Sequence, residues 1–465
     1  MERTGTKKGN GKRCGIVLVS LLVALLAPRV EAGLAAEVRL TLPEAVKAAL
    51  ENNHELKAQR NAHAAKQADV GIARSFLLPK VSIEERYLRT ANPTYAFMTR
   101  LNQERIAASD FAPDSLNRPD AVDDFQTAVS FEQPLFVRKA AIGLEMSKKE
   151  VEASEEALLR KKEEIAFKVV QYYLMADTAA GYVTVAEKAL EDAREHQRLA
   201  ETRYNAGLGL YSDTLRAATA VAEAEQKLVS AGKNLRVAKR ALGLMIGSAE
   251  AVEVAGETPS LPLREIEYLR AQSLARRDVK ALELKNENAR NNVKLAEAGY
   301  FPFLGVGGAY QLNDHNKPLG GEGDSWQVMA FLRWEIFDGD KRRHEKAKAR
   351  HQVSEVDEYL AGMKKMVSFQ VDEAWLTLEE AKKNWELARK ALDTAAEGRR
   401  LVKARYEGAL SPIVDMLDAQ VSFDHARANL VARENEYKLA IANLSYASGT
   451  IIADLRMEDQ TGRAK

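Results

Sequence analysis

The feature that most constrains the fold of this 465-residue chain is a segment that occurs twice, 202 residues apart. Each copy begins with an Arg-Tyr pair, at Arg203 in the first half and Arg405 in the second, and continues through a glycine to an aspartate. Long stretches of helical sequence lie on both sides of each copy. Glycine often ends a helix, and serine followed by proline often begins one, as at Ser411-Pro412. The pattern predicts two long helical hairpins with equivalent tips.

A heptad seam of small and apolar residues runs along the first helix of each hairpin, with members alternately four and three residues apart. In the first half they are Ile165, Val169, Tyr172, Ala176, Ala179, Val183, Ala186, Leu190 and Ala193. In the second half they are Val367, Val371, Ala374, Leu378, Ala381, Trp385, Ala388, Leu392 and Ala395. Helices of this length, on the order of 100 Å, suit a coiled coil or a bridge between membranes better than a compact domain.

The first 32 residues are predicted to be a signal peptide. A basic stretch from Lys7 to Arg13 precedes an apolar core, 15–27, that is too short to span a bilayer. An uncleaved signal anchor is the alternative. Cys14, the only cysteine, precedes the apolar core, so we expect a mature chain that has no disulfide and is not a lipoprotein. The formal charge of +1 gives no electrostatic footprint for nucleic acid.

Both halves of the chain follow the same predicted order of helix, strand pair and helical hairpin. The predicted ranges are 33–247 for the first repeat, with a β-hairpin at 80–133 and a helical hairpin at 138–246; 248–263 for a linker; 264–450 for the second repeat, with a β-hairpin at 302–335 and a helical hairpin at 338–448; and 451–465 for a disordered tail. We expect unbroken opening helices from 42 to about 76 and from 264 to about 298, and a long loop over 91–120.

The second strand pair indicates where this body meets a membrane. One face of its second strand carries Trp326, Val328, Ala330, Leu332 and Trp334. An apolar face with tryptophan at each end is typical of a transmembrane strand that faces lipid, with aromatic girdles at both interfaces. The alternative is a half-buried strand of a soluble sheet. Four strands per chain cannot close a barrel around a wide lumen, so an oligomer is required, and three chains would supply twelve strands.

From about Leu40 to Thr450 the chain resembles the TolC-type outer-membrane efflux proteins. The resemblance rests on the capped opening helix (TLPEAVKAALENN), the helix–Pro–strand junctions at Leu78-Pro79 and Phe301-Pro302, and the duplicated tips. It implies an α+β membrane protein, a homotrimer with a twelve-stranded barrel in outer-membrane lipid and a periplasmic coiled-coil tunnel. It also implies a passive duct of a tripartite efflux or type I secretion system in a Gram-negative bacterium, joined by a periplasmic adaptor to an inner-membrane pump of the RND or ABC type.

The resemblance also implies functional residues near the tips. In the family, aspartates of the inner hairpin close the tunnel, and these correspond to Asp415 and Asp418, which share one helix face. In a trimer they would form two stacked carboxylate rings that attract cations. The alternative is that both acids only complement the helix dipole.

A latch between the hairpins and an adaptor-docking surface are the other two candidate sites. The candidates for the latch are Arg405, Tyr406 and Asp213. The candidates for docking are Gly207, Leu208 and Gly408. Ordinary packing and helix capping are the alternative readings. The second tip departs from the family, because Gly408 stands one position early and Ala409 occupies the expected glycine position.

No enzyme signature is present, because the chain has no Ser/His/Asp arrangement, P-loop or Gly-rich dinucleotide turn. His344 and His351 share a helix face, but basic residues surround them, so we expect neither a metal site nor a cofactor. A soluble periplasmic coiled-coil adaptor is the alternative function, although adaptors lack strand pairs placed between helices in this repeat. Drugs, metals and an unfolded secreted protein all remain open as cargo.

Overall fold

The computed structural model describes residues 38–256 and 261–456, and the predicted signal peptide, 1–32, lies outside them. In the first half the elements are β1 (Val38–Leu40), α1 (Leu42–Asn52), α2 (His54–Ser75), β2 (Lys80–Thr90), α3 (Pro93–Asn102), α4 (Pro113–Asn117), β3 (Val122–Phe136), α5 (Arg138–Asn205) and α6 (Tyr211–Met245). In the second half they are β4 (Val252–Val254), α7 (Ile266–Ser273), α8 (Arg277–Glu297), β5 (Phe303–Asp314), β6 (Gly323–Arg333), α9 (Lys341–Glu407), α10 (Ile413–Ser448) and α11 (Ile451–Asp454).

Two long helical hairpins dominate the fold. Helices α5 and α9 have 68 and 67 residues, so each is on the order of 100 Å long. Their return helices, α6 and α10, have 35 and 36 residues. No helix within the described residues combines the length and the apolar character needed to cross a membrane.

Helix α5 is at the centre of the helical body, where it packs against α2, α6, α8 and α10. The core is built on its fully buried Ile165, Val169 and Tyr173, together with Val371 and Leu378 of α9. These are seam residues or neighbours of the seam, and their burial is what makes the long helices stable. Because α10 packs along α5, the two hairpin tips lie beside each other.

The four long strands form one antiparallel sheet in the order β2-β3-β5-β6. One row across this sheet consists of Ile83, Val129, Tyr310 and Trp326. All four side chains are exposed. The edge strands β2 and β6 pair with no further strand within the described residues. The sheet therefore presents an uncovered apolar face and two open edges.

The prediction of unbroken opening helices was wrong. Asn53 separates α1 from α2, because its Oδ1 accepts a hydrogen bond from the Glu55 N–H at 2.9 Å and caps α2. Its Nδ2 donates to Met245 O at 2.8 Å. Asparagine favours such local bonds over the helix interior. The second opening helix, predicted from 264 to 298, is likewise divided into α7 and α8.

Two segments that were predicted without regular structure are partly ordered. The loop predicted over 91–120 contains α3 and α4, and Asn92 caps α3 by accepting from the Thr94 N–H at 3.1 Å. The linker predicted at 248–263 contains β4, which pairs in parallel with β1. The partner of β4 lies about 200 residues away in the chain, so the local pattern gave no signal for it.

The predicted disordered tail begins with a helix, so the prediction was wrong for its first residues. Ile451 of α11 is fully buried. Asp454 forms an ion pair of 2.8 Å with Arg264. The remaining residues of that tail, 457–465, lie outside the described part of the chain.

Candidate gate at the hairpin tips

Two hydrogen bonds close the last helical turn at each tip. In the first tip the Leu208 N–H donates to Arg203 O at 2.8 Å, and the Gly207 N–H donates to Tyr204 O at 2.9 Å. In the second tip the residues 202 positions later form the same bonds, at 2.8 and 3.0 Å. This pair of bonds is a Schellman ending. The two tips therefore have equivalent backbone geometry.

Ala409, not Gly408, is the left-handed residue of the second tip. Its φ is +61°, against +73° for Gly207 in the first tip, whereas Gly408 has a φ of −80°. Gly408 is the C-cap of α9, as the glycine at this position predicted, but the residue with the positive φ stands one position later. A left-handed conformation costs a residue with a Cβ roughly 1–2 kcal/mol, so Ala409 stores strain at this tip.

The start of α10 also differs from the prediction. Pro412 is the N-cap rather than the first helical residue, and Ser411 Oγ is buried without a hydrogen-bond partner among the described residues. Asp415 lies in the first turn of α10 and Asp418 one turn later. Both carboxylates are exposed and form no hydrogen bond or ion pair with any described residue.

Arg203 of the first hairpin holds the end of α9, a contact that the sequence did not predict. Its Nη1 donates to Tyr406 O at 2.7 Å and to Glu407 O at 3.1 Å. Its guanidinium also lies 4.8 Å from the centre of the Tyr406 ring. A cation bound to the last carbonyls of a helix is favoured by the helix dipole. Arg203 therefore joins the two tips.

The predicted latch is only partly assembled within one chain. Tyr406 is buried against Ile413 and Met416. Burial raises the pKa of the Tyr406 hydroxyl, Arg203 lowers it, and the charge of Asp213 raises it further. The Arg405 side chain is exposed and forms no hydrogen bond or ion pair with any described residue, Asp213 included. The repeat itself was the available signal, because Arg203 is the counterpart of Arg405.

The docking candidates lie at the outermost point of the hairpins. Gly207 and Gly408 are exposed. Leu208 is 72% exposed, and Leu410, its counterpart in the second tip, is 73% exposed. Each tip thus presents an apolar side chain to solvent, which is a feature of protein-binding surfaces when several such residues are close together.

A partly buried polar network joins three helices near the tips. Gln420 of α10 is at its centre, where its Nε2 donates to Asp192 Oδ2 of α5 at 3.0 Å and to the Asp424 carboxylate at 3.1 Å. Arg399 of α9 donates to Asp192 at 3.0 Å. His196 Nε2 lies 3.3 Å from Gln420 Oε1. The network therefore ties the second hairpin to α5.

Burial shifts the pKa values of two members of this network. It lowers the pKa of the His196 ring and raises the pKa of the Asp424 carboxyl. The predicted seam ends at Ala193, but burial continues at His196 and Ala200. One further turn of the pattern would have found His196.

The two predicted girdle tryptophans are both exposed at the sheet. Trp326 is in β6, in the apolar row across the sheet. Trp334 is one residue beyond β6, and its Nε1 donates to Tyr300 O at 3.1 Å. They are close to the two ends of β6, as an aromatic girdle requires.

One group of metal-type donors occurs within the described residues. Atoms of Asp314, His315 and Glu322 lie within 4.8 Å of one another, at the turn after β5. His315 Nδ1 and Glu322 Oε2 already share a hydrogen bond of 2.5 Å, and Lys317 acts on Asp314. We assign no metal to this group.

The model of the family described as "Outer membrane efflux protein" matches residues 45–248 and 269–450. The chain belongs to this family, which confirms the resemblance drawn from the tips and junctions. The outer membrane protein OprJ of Pseudomonas aeruginosa is 24% identical over 347 residues, which cover 72% of this chain and 71% of OprJ. Protein CyaE of Bordetella pertussis is 25% identical over 291 residues, 61% of each chain.

Solved structures share the fold. The crystal structure of CusC has a TM-score of 0.74 at 16% identity and covers 89% of this chain and 93% of CusC. The open state of the MtrE outer membrane channel of Neisseria gonorrhoeae has a TM-score of 0.70 at 17% identity and covers 88% of this chain and 89% of MtrE. The predicted α+β fold class of long helical hairpins and four strands is confirmed.

Proposed function

We propose that three copies of this chain form a passive duct in the outer membrane, the exit channel of a tripartite efflux or type I secretion system. One observation carries this proposal: the chain combines helices on the order of 100 Å long with a sheet whose apolar face is uncovered. The helices would cross the periplasm, and the sheet would lie in lipid. Family membership supports the same function.

Two features support a trimer. The edges β2 and β6 need partners, and three four-stranded sheets joined edge to edge would give a closed sheet of twelve strands. In the helical body, eight alanines are among the residues that line an open groove of about 680 Å³ between α5, α6 and α10. Small side chains of this kind let the helix of another copy approach closely.

The tips are proposed to be the gate and the docking surface. In the trimer, Asp415 and Asp418 would form the carboxylate rings of the aperture. Tyr406 and Asp213 would form the latch, with Arg203 as its main cation and Arg405 free to reach a neighbouring copy. The tips around Gly207, Leu208 and Gly408 would receive a periplasmic adaptor that joins the duct to an RND or ABC pump. In this scheme the pump, rather than the duct, selects the cargo.

The proposal is tested by cell fractionation, mass measurement in detergent and conductance in planar bilayers. We expect the protein in the outer-membrane fraction, a particle of three chains and discrete conductance steps. A monomer in the soluble periplasmic fraction without conductance would contradict the proposal and would favour the adaptor alternative.

A further inference from the structure

Cationic side chains are concentrated where α5 and α9 begin and α8 ends, at one end of the sheet. We call Arg138, Lys139, Arg343, Lys346 and Arg350 the junction patch. Glu297 is the acid within it: it accepts from Lys346 at 2.7 Å, and this bond, with the nearby charges of Arg350 and Arg138, lowers its pKa. Glu345 of α9 pairs instead with Lys341 at 3.8 Å, so Glu297 is the only acid among the described residues that forms an ion pair with the patch.

Two cations of the patch have no counter-ion. Arg343 and Lys139 are exposed and form no hydrogen bond or ion pair within the described part of the chain. Arg343 and Arg350 are seven residues apart and share one face of α9. The nearby Asp338 carboxylate already forms an ion pair with the buried Arg342, whose Nε lies 2.8 Å from Asp338 Oδ2. The patch therefore presents unneutralised positive charge to whatever lies outside the chain.

Helix stability does not explain these cations. The first turns of α5 and α9 contain no acidic residue, and both begin with basic residues. The positive end of the helix dipole favours acids there and disfavours Lys and Arg. At α9 the Asp338 carboxylate accepts a hydrogen bond from the Arg342 N–H at 3.0 Å and so complements the dipole, whereas α5 has no acid in its first turn and begins with the exposed Arg138 and Lys139.

An exposed apolar band borders the patch. Tyr300 and Phe301 are exposed, and the Arg138 guanidinium lies 4.2 Å from the centre of the Phe301 ring. The Trp334 Nε1 donates a hydrogen bond to Tyr300 O. The nearby Ile336 and Phe337 are 82% and 78% exposed. Aromatic and apolar side chains next to Lys and Arg are typical of the boundary between lipid tails and headgroups.

We infer that the junction patch binds the phosphodiester headgroups of anionic phospholipids, while the adjoining apolar band contacts their acyl chains. Charge complementarity and the continuity of this band with the apolar face of the sheet carry the inference. It rests on the proposed function only in placing the sheet in a membrane.

The experiment titrates short-chain phosphatidylglycerol and phosphatidylcholine into the full-length protein in detergent and counts bound lipid by native mass spectrometry. The patch variant is Arg343→Glu with Arg350→Glu. The matched control is Lys382→Glu with Lys390→Glu, two exposed lysines further along α9 that carry no ion pair with described residues. We expect at least about tenfold preference for phosphatidylglycerol in the wild type and the control, lost in the patch variant and weakened by salt.

Equal binding of the two lipids by the wild type, or equal loss in both charge variants, would overturn the inference. So would binding of soluble peptidoglycan fragments in place of phosphatidylglycerol. If the glutamate pair fails to fold, Arg343→Gln with Arg350→Gln is measured instead and should also reduce the preference. Absence of conductance in any bilayer would count against the proposed duct, whereas lipid preference in detergent tests the patch separately.

Discussion

Equivalent residues of the two tips have different surroundings. Arg203 donates to two carbonyls at the end of α9 and lies over the Tyr406 ring, whereas Arg405, at the same position of the other tip, is exposed. Only Arg203 has a helix end from the other hairpin within reach. At this scale, the duplicated sequence encodes the backbone of the tip, and contacts across the hairpins decide which of the two arginines binds a helix end.

Replacement of Arg203 tests this difference. Arg203→Ala removes two charge-assisted hydrogen bonds and a cation–π contact, worth about 2 kcal/mol together, so separation of the tips should become roughly thirtyfold more frequent. The measurement is the open probability in planar bilayers. Arg405→Ala is the matched control and should change it far less. Similar effects of the two variants would contradict the role given to Arg203.

The strain at Ala409 gives a second prediction. Ala409→Gly should stabilise the second tip by about 1 kcal/mol, because glycine adopts a positive φ without steric cost. Amide hydrogen exchange at Leu410 reports this local opening. Gly408→Ala should be nearly neutral, since the φ there is −80°. If Gly408→Ala destabilised the tip and Ala409→Gly did not, the assignment of the stop residue would fail.

At the scale of the elements, a few polar side chains hold α10 to α5, and the rest of this contact consists of small apolar residues. Gln420 contacts Asp192, Asp424 and His196, so its carboxamide bridges both hairpins. The charged groups that act on His196 are Asp192 of α5 and Lys403 and Arg399 of α9. Protonation of His196 would therefore add a third cation next to Lys403 and Arg399.

This geometry predicts a pH dependence of hairpin packing. Burial lowers the pKa of His196 in the packed state, whereas in the separated state the ring has its ordinary pKa of 6.5. As pH falls, the separated state therefore binds a proton before the packed state does. Packing should weaken as pH falls through 6.5, until the lowered pKa is passed. Hydrogen exchange along α10 between pH 7 and pH 5 measures this. His196→Gln should remove the dependence.

Protonation of Asp424 has the opposite effect on the stability of packing, so Asp424 provides the control. Burial raises its pKa, so the packed state loses stability as pH rises above the ordinary value of 3.8 and through the raised pKa. Asp424→Asn should therefore make the weakening on acidification larger. An unchanged profile in both variants would show that other groups govern the pH response.

At the scale of the whole molecule, the elements that depend on sequence periodicity could be predicted. The contacts between segments far apart in the chain could not. Glycine, proline and the heptad spacing act locally, so the long hairpins and their tips could be located. The pairing of β4 with β1, the burial of Ile451 and the Gln420 network join segments far apart in the chain. No local pattern encodes these partners, and Arg203 was accessible only through its repeat counterpart.

The proposed aperture gives a prediction for the assembled molecule. Asp415→Ala with Asp418→Ala should bring the cation-to-anion permeability ratio close to one and weaken block by divalent cations, because both carboxylate rings are lost. Reversal potentials in planar bilayers measure the ratio. Glu380→Ala with Asp393→Ala removes the same charge from exposed positions of α9 and should change it less. Retained selectivity in the first variant would rule out the aperture assignment.

The two open edges of the sheet have a consequence for biogenesis. In the proposed ring the β2 edge of one copy joins the β6 edge of the next, so subunits add head to tail, and a pair of subunits still exposes one edge of each kind. Only ring closure satisfies both. Partial assemblies gain little from growth short of closure, so they should stay scarce at every protein concentration. The curvature of the sheet, rather than a separate structural element, would then determine the number of subunits.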